Sequence, residues 1–363
     1  MNMVLLVDGG WLMQSRLHMF AKDFQLDKPE IARKSAAREF KDLMARSISV
    51  MLNRFPEIDN IVLTSEGGSW RTLLPIPKYL QNNVDISKYK GHRERNEEMD
   101  WKTVYDAYSE FAKSCEEAGV TCSRHSLIEG DDWIWYWSRK LNEEGKDVMI
   151  WSTDCDLKQL VQLKNGKFTC WYNERNGLFL PESAKPKDDL VEAMLNPTFI
   201  SPNVDGLIRK SKKVEYIYPD SIAIDKILCG DAGDNIKPLA TFKKGARMCN
   251  FTAKDKDNLF DYLGRNILHM DDFKNSKDTI IRWVMSYKKF YGKMTYEELS
   301  EMFDYNIKLV YLNESVMPDS YAKAMVQFQL GECDVLNIKR NYKMLLGTDK
   351  NVENIFNEIF ETE

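Results

Sequence analysis

The chain has 363 residues, 43% of them hydrophobic and 29% charged, with a net charge of −5, which suits a packed protein of about two domains but not a uniformly basic nucleic-acid surface. No apolar run reaches membrane-spanning length, and the start, MNMVLLVDGGWL, lacks a basic leader and is interrupted by Asp8, so neither a membrane anchor nor a secretory signal is expected. Seven cysteines without CxxC spacing and four scattered histidines argue against disulfides and zinc and read as reduced thiols of a cytoplasmic protein.

Short apolar runs over 4–7, 61–64, 120–122 and 148–151 predict buried strands. Helical patterns separate them. Residues 33–55 carry Phe40, Leu43, Met44, Ile48, Met51 and Leu52 at helical spacing, and the aromatic-rich stretch 131–141 follows the third strand. Strands alternating with helices predict an α/β fold with a mostly parallel central sheet. Residues 168–173 and 178–180 read as a hairpin around Asn176-Gly177. From Pro186 onward the pattern is mainly helical, with helices over 189–195, 221–228, 255–262, 279–290, 319–330 and 352–360. Residues 307–312 read as a strand or a packed extended segment, and Arg209 to Lys213 as a basic loop.

Acids follow every predicted strand of the sheet. Asp8 ends the first and Glu66 follows the second. Glu129, Asp131 and Asp132 follow the third in IEGDDW, and Asp154 and Asp156 the fourth in STDCDLKQL. Asp231 and Asp234 lie further on, in CGDAGDNI. Any one of these aspartates is a routine turn former or helix cap. Four successive strands ending in acid are harder to explain that way, because in an open parallel sheet the carboxyl ends of the strands share one edge. Carboxylates gathered there repel one another unless cations intervene. Oxygen donors favour Mg²⁺ or Mn²⁺, and two such ions about 4 Å apart suit phosphodiester hydrolysis, one activating water and the other stabilising the leaving oxygen.

These segments resemble the flap endonuclease and phage-type 5′-nuclease superfamily, and within it the phage RNase H branch. LLVDGG resembles the first ligand strand, KYKGHR (Lys88 to Arg93) the start of the helical arch, IEGDDW the E-A-x-D segment, STDCDLKQL the S-x-D-x-D-x-x-Q-L segment, and CGDAGDNI the signature that opens a helix-three-turn-helix. The tail from Ile307 to Phe328 is similar to the C-terminal region of the phage RNase H branch. The resemblance implies an α/β nuclease core over 1–200 with an arch at about 72–118, a helix-three-turn-helix over 201–253 and a helical region over 254–363.

By the same resemblance Asp8, Glu66, Glu129, Asp131 and Asp154 surround one ion, while Asp156, Asp231 and Asp234 lie towards a second. Asp132 serves as a ligand or supports one. Lys90 and Arg93, three apart on a helix, are expected over the scissile phosphate. Tyr89 either stacks on a base or packs at the root of the arch. Trp70 and Arg71 are placed towards the substrate, and Trp133 and Trp137 in the core. Lys243, Lys244 and Arg247 are expected to meet duplex phosphates or to form a plain basic surface. Cys155 is given no catalytic role. Glu66 stands where the family usually has Asp, moving the carboxylate by a methylene. The turn after Ile236 lacks the family's glycines, which removes the ground for a backbone-bound K⁺.

The implied activity is that of a structure-selective 5′-nuclease on flap, nicked or RNA-primed DNA in replication or repair. Two Mg²⁺ ions, replaceable by Mn²⁺, are its cofactors, and the host cytoplasm is its place if a phage encodes it. Single-strand-binding protein and a sliding clamp are its candidate partners; no membrane is involved. The rivals are a branched-DNA-binding protein without catalysis, which Glu66 brings forward, and an aspartate-nucleophile phosphatase, which Gly9-Gly10 after Asp8 disfavours. Setting the nine proposed ligands aside leaves 47 acids against 51 bases, so the remaining surface does not oppose DNA.

Overall fold

In the computed structural model, residues 3–83, 88–92, 96–181, 183, 214–264 and 269–347 are described. Arg93, the predicted helices over 189–195 and 352–360, and the basic loop 209–213 lie outside them. The chain opens with β1 (Met3–Asp8), α1 (Gly9–Leu17), α2 (Glu30–Arg54), β2 (Ile58–Thr64), α3 (Lys78–Asn83) and α4 (Trp101–Glu117). It continues through β3 (Thr121–Ser123), α5 (Gly130–Glu143), β4 (Asp147–Trp151), β5 (Gln162–Lys164), β6 (Lys167–Asn173), β7 (Gly177–Pro181) and β8 (Val214–Ile217).

Beyond the sheet come α6 (Pro219–Cys229), the hairpin β9 (Thr241–Lys244) and β10 (Arg247–Asn250), α7 (Ala253–Tyr262), α8 (Met270–Asn275) and α9 (Lys277–Ser286). Three further α-helices follow: α10 (Tyr296–Val310), α11 (Asp319–Val326) and α12 (Val335–Arg340). Short 3-10 turns cover Trp70–Leu73, Cys155–Leu160 and Tyr342–Leu346.

The main sheet runs β3-β2-β1-β4-β6-β7-β8, with β5 paired to β6. β1, β2, β3, β4 and β6 are mutually parallel, and β7 is antiparallel to β6. Leu5 of β1 faces Ile61 on one side and Met149 on the other. Every residue of β1 and β4 is buried, as expected for strands covered on both faces. Leu5 and Val7 pack with Phe40, Met44, Phe111 and Tyr172 beneath α2 and α4. Val4 and Leu6 pack with Trp133, Ile134, Trp137 and Trp171 beneath α5. Trp133 and Trp137 are thus core residues, as their spacing implied.

A third cluster holds the helical body. It joins Ile224, Ile227 and Leu228 of α6 to Phe251, Phe273, Ile281 and Phe303, and it takes in Tyr79, Leu80 and Tyr89. The expected arch segment therefore divides: its first part packs into the helical body, while α4 packs into the α/β core through Tyr108 and Phe111. Asp100 caps α4 by accepting from the Thr103 amide at 3.1 Å.

Three expectations change. Residues 307–310 are the last turn of α10, and the chain turns extended only at Tyr311. The stretch after Ile236, expected to continue a helix-three-turn-helix, forms the β9–β10 hairpin before the next helix, with Gly245 in the left-handed region that its turn requires. β8 extends the main sheet beside β7 although it lies beyond residue 201. The C-terminal helices return to the α/β core. Met325 joins one face and Val335, Ile338 and Leu345 the other, while the Gly331 amide donates to Thr121 Oγ1 at 2.8 Å beside β3. Edge strand β3 is covered in this way. Among the described residues no helix is long and apolar enough to cross a membrane.

Candidate metal centre

The strand order turns back at β1, which sends β2 to one side and β4 to the other. The crevice above such a switch point is where an open parallel sheet binds ligands. Asp8 stands at this position. It caps α1 by accepting from the Trp11 amide at 2.9 Å, and Ser152 Oγ after β4 donates to its other oxygen at 2.7 Å. Capping and site membership are therefore the same geometry. Burial pushes the Asp8 carboxyl up to about 6.

The two glycines after Asp8 have separate tasks. A Cβ on Gly9 would lie 2.3 Å from the Thr64 carbonyl, and one on Gly10 would lie 2.6 Å from Glu66 Cγ. Gly10 thus gives Glu66 its space, and the extra methylene at this position has a matching cradle. Burial pushes Glu66 up to about 7, with Asp8 and Glu129 adding to the effect and Lys90 opposing it. Asp131 is held well above the usual carboxylate range by burial, then by Asp154, with Glu66 and Asp8 adding further. Asp154 caps the 3-10 turn by accepting from the Asp156 amide at 2.9 Å. It is close enough to act on Asp8 and Asp131 on one side and on Asp156 on the other. No cation of the described residues forms an ion pair with Asp8, Glu66, Asp131 or Asp154.

Glu129 and Asp132 are different. Arg71, only 3% exposed, donates to Glu129 Oε2 at 2.8 Å and to both Asp132 oxygens at 2.9 Å. Trp70 Nε1 donates to Asp132 Oδ2 at 3.0 Å, and the Arg71 guanidinium lies over the Trp70 ring at 4.5 Å. Ser69 Oγ and Lys90 Nζ complete the shell of Glu129 at 2.7 and 2.5 Å. Burial alone would raise Glu129, but Lys90 and Arg71 hold it at about 2. Trp70 and Arg71, expected at the substrate surface, are instead buried beneath the site. Asp132 is spent on Arg71, which fits its supporting role and not that of a ligand.

Lys90 is also placed differently. It lies in a turn with φ +55°, not on a helix, and its amide donates to the Asp234 carbonyl at 3.0 Å. Asn235 Nδ2 donates to the Lys88 carbonyl at 3.3 Å. Tyr89 is buried and its hydroxyl donates to Asp234 Oδ2 at 3.3 Å, which favours packing over base stacking. The root of the expected arch is thereby joined to the GDAGDN turn.

Asp156, Asp231 and Asp234 form, among the described residues, the one group of three possible ligands whose oxygens all lie within 4.8 Å of one another. The Asp231 and Ile236 backbones bond to each other at 2.9 and 2.7 Å and close the turn that presents two of them. Lys226, near the end of α6, forms ion pairs with Asp156 and, at 2.5 Å, with Asp231. Burial raises Asp156 to about 6, whereas Lys226 outweighs burial and holds Asp231 below its usual range. Sequence reasoning missed Lys226. The one available signal was its position five residues before Asp231. Lys243, Lys244 and Arg247 lie exposed on the β9–β10 hairpin. Cys155 is exposed and takes no part.

The donors are all carboxylate oxygens, several of them without an ion pair among the described residues, and this set fits hard divalent cations.

No family model matches the sequence, and no curated protein does. A crystal structure of a T5 protein co-crystallised with metal ions aligns with 95% of this chain and 99% of its own, at 18% identity and a TM-score of 0.51. T5 5′-exonuclease with bound zinc aligns with 90% of this chain and 99% of its own, at 18% identity and a TM-score of 0.49. A bacteriophage T5 flap endonuclease complex with DNA and metal ions aligns with 95% and 99%, at 19% identity and a TM-score of 0.48.

Proposed function

We propose that this chain, which has the fold of the phage 5′-nucleases, is a divalent-metal-dependent nuclease that hydrolyses phosphodiester bonds in flap, nicked or RNA-primed DNA. The observation that carries the reading is the gathering of Asp8, Glu66, Asp131 and Asp154 from separate strand ends, next to the tight group of Asp156, Asp231 and Asp234. A nuclease of the phage RNase H branch, acting in replication or repair with two Mg²⁺ or Mn²⁺ ions, accounts for both groups.

Asp8, Glu66, Asp131 and Asp154 would hold one ion, with Glu129, expected as a fifth ligand, engaged instead by Arg71, Ser69 and Lys90, and Asp156, Asp231 and Asp234 would hold a second. When bound, such ions supply activation of water and stabilisation of the leaving oxygen. The protein's own part is positional. Arg71 and Ser69 fix Glu129, and Glu129 in turn holds Lys90 beside the crevice. An ammonium released from Glu129 towards a phosphate oxygen would stabilise charge in the transition state. Arg93, which lies outside the described residues, is proposed to assist it from the arch. Lys243, Lys244 and Arg247 on the exposed hairpin would hold duplex phosphates. Single-strand-binding protein and a sliding clamp are proposed partners, and the cytoplasm the proposed compartment.

The test is a cleavage panel of flap, nicked and RNA-primed substrates with and without Mg²⁺. Asp154→Asn and Asp156→Asn should each slow cleavage at least about a hundredfold while leaving DNA affinity nearly unchanged. Wild-type cleavage by Asp154→Asn would refute its assignment. Lys90→Ala should slow the single-turnover rate, and an unchanged rate would remove Lys90 from the chemistry. Absence of Mg²⁺-dependent cleavage on every substrate would favour a branched-DNA-binding protein instead.

A further inference from the structure

We propose that Lys226 is a built-in counter-ion that competes with the second metal ion, so that the two metal positions fill in a fixed order. The inference rests on the two-ion reading above and adds to it a reason for unequal affinities.

Lys226 is carried by α6, which is anchored in the helical body through Ala223, Ile224, Ile227 and Leu228. Its position is thus set by packing, and its ammonium reaches two of the three carboxylates in the Asp156–Asp231–Asp234 group. One of the two, Asp156, comes from the 3-10 turn after β4, and the other from the turn after α6. The lysine therefore ties the two halves of the ligand set together.

A divalent ion entering this group must take both carboxylates from the ammonium. The exchange replaces one positive charge by two in the same place, so the net electrostatic gain is that of a single charge. Among the described residues no cation forms an ion pair with Asp8, Glu66, Asp131 or Asp154, and an ion entering there meets carboxylates that repel one another. The first group is expected to load at low metal concentration and the group around Lys226 only at higher concentration. Lys90 does not equalise them, because its direct ion pair is with Glu129, which shares Arg71 with Asp132, and it acts on Asp8, Glu66 and Asp131 only at longer range.

The test is a Mn²⁺ titration of the full chain without DNA, with free Mn²⁺ read by electron paramagnetic resonance. Wild type should show a tight and a weak class of site. Lys226→Met, which keeps the side chain's length and loses its charge, should tighten the weak class about tenfold, since the ammonium is partly solvent-screened. The tight class should move less than about twofold, and Lys226→Arg should behave as wild type. A weak class that is unchanged or further weakened in Lys226→Met overturns the proposal. If wild type binds no Mn²⁺, the two-ion reading itself fails, and the inference with it. A second measurement needs no variant: in wild type the Lys226 side-chain resonance should shift with the second equivalent of Mg²⁺ and not with the first. A shift complete at the first equivalent overturns the proposal equally.

Discussion

Replacing Arg71 by Met tests whether the site rests on a buried charge network. The guanidinium makes three charge-assisted hydrogen bonds, at 2.8, 2.9 and 2.9 Å, to Glu129 and Asp132. Asp132 is 1% exposed, and without Arg71 the remaining side-chain donor to it among the described residues is Trp70 Nε1. Glu129 keeps Ser69 and Lys90. The substitution thus strands one buried carboxylate and weakens the hold on another, while methionine fills much of the vacated volume. Breaking a buried pair from one side costs about 3–5 kcal/mol, a large part of the roughly 5–15 kcal/mol that holds a typical domain folded. Urea unfolding of metal-free protein, followed by tryptophan fluorescence, measures it. Arg71→Met combined with Asp132→Leu should recover much of the loss, because no stranded charge remains at that position. The pH dependence supplies a sign. Glu129 is held at about 2 against an ordinary 4.5, so it stabilises the fold above the ordinary value, and that contribution fades as pH falls towards about 2. The deficit of Arg71→Met should therefore be largest near neutrality and narrow in acid. A loss below about 1 kcal/mol, or one independent of pH, would refute the reasoning.

Burial lifts Asp8 from 3.8 to about 6 and Glu66 from 4.5 to about 7, so the folded carboxyls bind protons more tightly than unfolded ones, and metal-free protein should lose stability as pH rises through that window. Added Mg²⁺ should then raise the melting temperature more at about pH 8 than at about pH 5.5; equal shifts would count against an ion among these groups. Gly10→Ala should displace Glu66, whose Cγ lies 2.6 Å from the added methyl position, and weaken Mn²⁺ binding with the fold retained; wild-type Mn²⁺ affinity would remove Glu66 from the ligand set. Neutralising Lys243, Lys244 and Arg247 together should reduce the salt dependence of duplex binding by about three phosphate contacts. An unchanged salt slope would move the duplex elsewhere.

The sheet and the gathering of acids were legible because both follow from strand ends. β1 and β4 are unbroken apolar runs because both faces are covered, and Asp8 and Asp154 follow because the parallel strands finish at one edge. The β9–β10 hairpin was not legible. The stretch KPLATFKKGAR has no alternation strong enough to overrule the helical motif that precedes it, and Gly245 alone marks its turn. Residues 307–310 looked extended because Ile307, Leu309 and Val310 are branched or apolar, yet capping of α10 by Thr295 and Glu298 starts a helix long enough to include them. Neighbouring residues on a helix point about 100° apart, so Asp131 and Asp132 cannot both face the crevice. That much was available from IEGDDW; which of the two turns inward depended on Arg71, about sixty residues earlier.

What the sequence withheld was the charge balance inside the cluster. Nine acids read as one bowl of negative charge, but three cations of the described residues divide it. Arg71 removes Asp132 and, with Lys90, satisfies Glu129. Lys226 takes Asp156 and Asp231. Among the described residues Asp8, Glu66, Asp131 and Asp154 form no ion pair, and the ninth acid, Asp234, accepts from the Tyr89 hydroxyl. Arg71 and Lys90 reach their partners from distant parts of the chain, as Lys226 does Asp156, and of these pairings only Lys226 with Asp231 falls within a local window. A lysine on an amphipathic helix and an arginine after a tryptophan look like ordinary surface or substrate residues until the fold brings acids to them. The acids that still need a cation are therefore identified by subtraction, and that subtraction requires the structure.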